Sequence, residues 1–159
     1  AVLDVNARQN GQIAERLVEA LKRPRGKRVA LLGLTYKAKT STLRHSLTLQ
    51  IADQLLAHGL VLSAYDPDVP PERAAIIPPD EHEVPRAITV AATLAQALTG
   101  ADAAVVMTAK DAFKTLSLPA LAKQLKQKVL VDAAGLFDPR AAQRAGLCYV
   151  AIGRGFRVL

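Results

Sequence analysis

Val29-Ala-Leu-Leu-Gly33-Leu-Thr-Tyr-Lys37-Ala-Lys39-Thr-Ser-Thr-Leu-Arg44-His-Ser46 decides how this chain is read. An aliphatic run passes directly into a basic, hydroxyl-rich turn, and a helical pattern follows. That order is how an α/β domain offers cations and backbone N–H groups to a phosphate. Gly33 is the only glycine in the stretch, whereas the usual dinucleotide fingerprint needs three, for a tight turn, a close pyrophosphate and helix–strand packing. In their place stand the cations Lys37, Lys39 and Arg44. Composition alone leaves open an ordinary crossover turn whose charges face water.

Elements on either side repeat the pattern. Ahead of the strand, Val2, Val5, Ile13, Leu17, Val18 and Leu21 fall largely at helical spacing until Pro24 and Gly26. Behind it, a helix expected from near Ser46 buries Leu47, Ile51, Ala52, Leu55 and Leu56 and stops at Gly59. Strands are expected at Val29–Leu34, Val61–Tyr65, Ile88–Val90, Ala103–Met107, Val129–Val131 and Tyr149–Ile152, with helices at Leu94–Leu98, Leu118–Leu125 and Arg140–Ala145. The prolines between Pro67 and Pro85 mark a loop. Alternating strands and helices imply right-handed crossovers and a doubly wound, mostly parallel sheet. With 159 residues, 50% of them hydrophobic and 4% aromatic, the chain suits one core of Ala, Val, Leu and Ile.

Gly33-Leu-Thr-Tyr-Lys37 followed by Thr40, Arg44 and Ser46 resembles the run that opens the carboxy-terminal, UDP-binding domain of UDP-glucose/GDP-mannose dehydrogenases. Further matches follow the family in order: Val5-Asn6 with Gln9, Tyr65-Asp66-Pro67, Ala101-Asp102-Ala103, Val131-Asp132, Phe137-Asp138-Pro139 and Ile152-Gly153-Arg154-Gly155. The resemblance implies a Rossmann-like domain over residues 27–159, preceded in 1–26 by a linker and the end of a long linking helix. It implies a nucleotide-sugar 6-dehydrogenase with NAD as cofactor, a UDP-sugar as favoured ligand, and a homodimer in the full-length protein. Tyr36 and Lys37 then contact the substrate, and Arg44 approaches the NAD pyrophosphate with the bidentate geometry a guanidinium offers. The chain departs from the family pattern at Thr42, at His45 and at Ala134, where an arginine that helps hold the nucleotide sugar is replaced. Those departures keep a second expectation in view, a nucleotide-binding module without catalysis.

Other residues give weaker signals. Asp66 is read as a turn or capping group before a ribose-binding acid, since it lacks the glycine fingerprint. Cys148 is read as a buried structural thiol, because in the resembled family the nucleophile lies upstream of this domain. His45, His58 and His82 have no metal-ligand spacing. The formal charge of +7 raises nucleic acid as a partner, but the one dense cluster, Lys22, Arg23, Arg25, Lys27 and Arg28, has no interleaved aromatics and reads as a solvated linker. The expected partners therefore include no nucleic acid and no membrane, since no apolar run nears the roughly 20 residues of a spanning helix. A single cysteine fits a cytoplasmic protein. The chain begins at Ala1 and its first methionine is Met107, so a piece of a longer protein is expected, inactive by itself.

Overall fold

The computed structural model describes residues 12–35, 47–71, 88–152 and 157–158, with the backbone alone at positions 47, 157 and 158. Helix α1 (described over 12–20) comes first. It is followed by β1 (Arg28–Leu32), α2 (Leu47–Ala57), β2 (Val61–Tyr65), β3 (Ile88–Val90) and α3 (Leu94–Leu98). Then come β4 (Ala103–Val106), α4 (Asp111–Lys114), α5 (Leu118–Gln124), β5 (Val129–Asp132), α6 (Pro139–Arg144), β6 (Cys148–Ala151) and β7 (Arg157–Val158).

The strands form one sheet in the order β3-β2-β1-β4-β5-β6-β7. From β3 to β6 every pairing is parallel, and β7 adds an antiparallel edge. The expected doubly wound, mostly parallel sheet is therefore present. Its central strands are sealed on both faces: Val29 to Leu32 in β1 and Val129 to Val131 in β5 are all buried. This is why they read as unbroken aliphatic runs. Successive side chains alternate between two cores. Val29, Leu31, Val105 and Val131 meet α1 (Ile13, Leu17) and α2 (Ile51, Leu55) on one face. Ala30, Leu32, Val106 and Leu130 meet Leu98 of α3, Phe113 of α4, Leu121 of α5 and Ala142 of α6 on the other.

Helix starts carry their expected chemistry. Thr93, Ser117 and Asp138 accept from Gln96 N, Ala120 N and Arg140 N, and so cap α3, α5 and α6. Pro119 and Pro139 stand in the first turn of the latter two, where no N–H is required of them.

Several strands end differently from the sequence expectations, among them β1 and β6. The first strand stops at Leu32 rather than Leu34, because Gly33 has φ +103 and leaves the β region. The last strand expected, Tyr149–Ile152, runs from Cys148 to Ala151, and the two-residue β7 beyond it is too short to show any periodicity. Helix α4 was likewise not foreseen; at four residues it spans little more than one helical turn.

Gly33 is more tightly enclosed than Gly26, Gly59, Gly100 or Gly146. A Cβ there would lie 2.4 Å from Thr108 Oγ1, in a conformation that L side chains rarely adopt. Gly33→Ala should cost about 2–4 kcal/mol, combining backbone strain with overpacking. Urea unfolding of Gly33→Ala and of the double variant with Thr108→Ala checks this. The double variant should regain the steric part of the loss, and equal stability in the two would place the whole cost in the backbone.

Candidate functional site

The chain passes from β1 outward to β2 and β3, then crosses back to place β4 on the other side of β1. Ligands of open α/β sheets bind at such a switch point, outside the carboxyl ends of the two diverging strands. Here that crevice is framed by Gly33, Leu34 and Thr35 after β1 and by Met107 and Thr108 after β4. The frame is drawn together by backbone bonds from Gly33 N to Tyr65 O (2.9 Å) and from Met107 N to Leu32 O (2.8 Å). Thr108 packs against the bare Cα of Gly33. Its hydroxyl is buried and has no hydrogen-bond partner among the described residues, so within them the crevice floor holds an unsatisfied polar group.

One wall of the crevice is organised by Asp66, which follows β2 and is 2% exposed. Its Oδ2 accepts from Leu34 N (2.7 Å), Thr35 N (2.8 Å) and Thr35 Oγ1 (3.1 Å). Its Oδ1 accepts from Asp68 N (2.8 Å) and from the Lys110 ammonium (2.5 Å). Lys110 is itself only 3% exposed. Its Nζ also reaches Asp68 Oδ2 at 2.8 Å and donates to Thr35 Oγ1. Both oxygens of the carboxylate are thus engaged by the protein. Of the turn or capping role expected from the sequence, Asp66 takes the turn, accepting from Asp68 N two residues on.

A second buried acid braces the far side. Asp132 ends β5, and its Oδ2 accepts from Phe137 N (2.9 Å) and from the Tyr149 hydroxyl (2.7 Å). The loop after β5 is thereby tied to β6. Ala134 lies in that loop, half-buried, and offers only a methyl group. Asp102, ahead of β4, accepts from Arg28 N at 2.9 Å and holds the opposite end of β1.

The other sequence-derived sites fare differently. Tyr36, Lys37 and Arg44, with Thr42 and His45, lie outside the described residues. Thr35, the residue before Tyr36, is the last described on that side. Cys148 is half-buried rather than sealed, because it opens β6 at the rim of the core. His58 is exposed, and among the described residues no group of three or more His, Cys, Asp or Glu could hold a metal ion. Lys22, Arg23, Arg25 and Arg28 face solvent as expected. Among the described residues, no helix is long and apolar enough to cross a membrane. Reading from the sequence missed Lys110, Thr108 and the Asp132–Tyr149 pair. The rule that ligands gather at strand ends would have found Thr108 had it been applied to β4 as well as β1; nothing in sequence distinguishes Lys110 from a solvated lysine.

Comparison with known proteins places residues 30–139 within the UDP-glucose/GDP-mannose dehydrogenase family, UDP binding domain. The chain belongs to that family. It is 31% identical over 154 residues to the UDP-glucose 6-dehydrogenase TuaD of Bacillus subtilis (strain 168), covering 97% of this chain and 32% of that protein. It is 33% identical over 150 residues to a UDP-glucose 6-dehydrogenase of Pseudomonas aeruginosa, covering 94% of this chain and 33% of the relative. The chain therefore spans about a third of the length of these relatives. Among solved structures, it shares its fold with an NDP-N-acetyl-D-galactosaminuronic acid dehydrogenase from Methanosarcina mazei Go1, at TM-score 0.75 and 22% identity, over 91% of this chain and 29% of that one.

Removing the carboxylate that holds the crevice wall breaks the buried pair with Lys110 and takes away the acceptor of Leu34 N and Thr35 N. Asp66→Ala should therefore cost about 3–5 kcal/mol, as breaking a buried ion pair does. Tyr149→Phe, which removes the hydroxyl that donates to Asp132 Oδ2 and Phe137 O, should cost about 1–3 kcal/mol. Denaturant midpoints of the two variants check the ranking; an Asp66→Ala loss no larger than that of Tyr149→Phe would mean the network carries little of the fold.

Proposed function

We propose that this chain is the nucleotide-sugar-binding, carboxy-terminal part of an NAD-dependent nucleotide-sugar 6-dehydrogenase of the UDP-glucose type. The observation that carries the reading is the family match over 30–139, which includes both ends of the crevice, Gly33–Thr35 and Met107–Thr108. A UDP-sugar lies across the carboxyl ends of β1 and β4. Lys37 neutralises its phosphates, and Tyr36 packs beside it. Arg44 reaches from this domain to the pyrophosphate of NAD, which in such an enzyme accepts the hydrides that leave the sugar C6 alcohol as it becomes a carboxylate. The nucleophilic cysteine and the main NAD fold belong to another part of the enzyme. Residues 1–26 form the end of the helix that joins the parts, and 27–159 the binding domain. The whole enzyme is a cytoplasmic homodimer.

One observation favours a second reading. Ala134 has no charge to give a ligand at the end of β5, where the family pattern supplies arginine, as a binding module without catalysis allows. The residues encoded ahead of Ala1 separate the two: a GxGxxG domain followed by the family's cysteine motif identifies the enzyme, and their absence identifies the module.

If Lys37 neutralises a phosphate, Lys37→Ala should weaken UDP binding by roughly 1.5–3 kcal/mol, about 10- to 150-fold in Kd, with the fold intact. Titration calorimetry with UDP and UDP-glucose measures it. Unchanged affinity in the variant would remove Lys37 from the site, and a native chain that binds neither ligand would contradict the reading as a whole.

A further inference from the structure

Lys110 is an unusual group to bury. It is 3% exposed, and its ammonium has as acceptors Thr35 Oγ1, Asp66 Oδ1 and Asp68 Oδ2, matching its three N–H bonds. Those partners come from the ends of β1 and β2, while Lys110 itself precedes α4. Its backbone is fixed there, since its carbonyl accepts from Phe113 N (2.9 Å) and Lys114 N (3.2 Å). The Phe113 ring is fully buried and meets Tyr65 edge-on at 6.2 Å between centroids. The ammonium is therefore presented from a rigid mount.

A buried ion pair contributes little net stability compared with apolar residues of the same size. What this one supplies is geometry. Past Gly33, β1 has left the sheet ladder, and Asp66 Oδ2 accepts from the next two N–H groups, of Leu34 and Thr35. Lys110 pairs with the other oxygen of Asp66 and holds the carboxylate in place. The same ammonium grips the Thr35 side chain.

We propose that Lys110 is a positioning residue: through Asp66 and Thr35 it fixes the exit of β1, from which Tyr36 and Lys37 follow directly in sequence. Its effect on affinity rests on the nucleotide-sugar reading given above; its effect on the β1 exit does not. Lys110 touches no ligand in this account and acts only through the residues it holds.

Amide hydrogen exchange followed residue by residue, together with UDP calorimetry, tests the proposal on the 159-residue chain. In Lys110→Met, Leu34 and Thr35 should exchange about tenfold faster or more, beyond any change at Ala30 to Leu32 of the same strand, as local opening requires. UDP affinity should fall by about tenfold. Leu121→Ala, which loosens a buried contact of α5, should lower the thermal midpoint without changing UDP affinity. Should Lys110→Met fail to fold, Thr35→Val removes one of the acceptors and should accelerate the same two amides by a few-fold. A uniform rise in exchange along β1, or no rise in either variant, overturns the positioning role. A native chain that does not bind UDP overturns the functional reading instead, and the exchange result still decides on Lys110.

Discussion

The carboxylate of Asp66 joins β1 to β2 at the point where the sheet ladder has ended. Gly33 turns β1 out of register with φ +103, leaving buried N–H groups at Leu34 and Thr35 that need acceptors. Asp66 Oδ2 provides one for both. The remaining oxygen would be a buried, half-compensated charge without Lys110. Glycine, acid and lysine therefore form a dependent set: the turn creates the donors, the acid satisfies them, and the ammonium makes the acid tolerable. This arrangement also commits Asp66 internally, so a nucleotide at this crevice must be held by other groups.

The family-like motifs turn out to mark where the strands are tied together. Asp102 receives the N–H of Arg28 ahead of β1. Asp132 receives Phe137 N and the Tyr149 hydroxyl after β5, and Asp138 caps the helix that follows, with Pro139 in its first turn. Each acid replaces a ladder bond at a strand end or a missing acceptor at a helix start. The described portion of the resemblance is thus a set of architectural ties, which accounts for its spread along the chain. The ligand contacts proposed above are assigned instead to the short run that starts at Tyr36.

Much of the fold was legible because its physics is periodic. Val29 to Leu32 and Ala103 to Val106 are sealed on both sides of the sheet, and a strand buried twice has to read as an aliphatic run. Helix α2 shows its buried face at Ile51, Ala52 and Leu55, with the 3.6-residue spacing. Elements too short for a period, α4 and β7, left no trace in the sequence. The end of β1 was misjudged by two residues, because Leu34 continues the apolar pattern while Gly33 has already changed the backbone. Lys110 was invisible for a different reason: its partners lie 75, 44 and 42 residues away in sequence, and a long-range charge network has no local signature. Cys148 was placed too deep, since a position at the start of a strand lies at the edge of the core.

The central claim is that the switch point between β1 and β4 is where this domain meets its nucleotide. Backbone amide shifts recorded while UDP is titrated into the chain test it directly. The largest changes should fall at Gly33, Leu34, Thr35 and Thr108, with the amino-terminal edge of the sheet, including Lys22 to Arg28, left unchanged. Shifts concentrated in that basic cluster, or no shifts at the β1 and β4 ends at saturating UDP, would contradict the account.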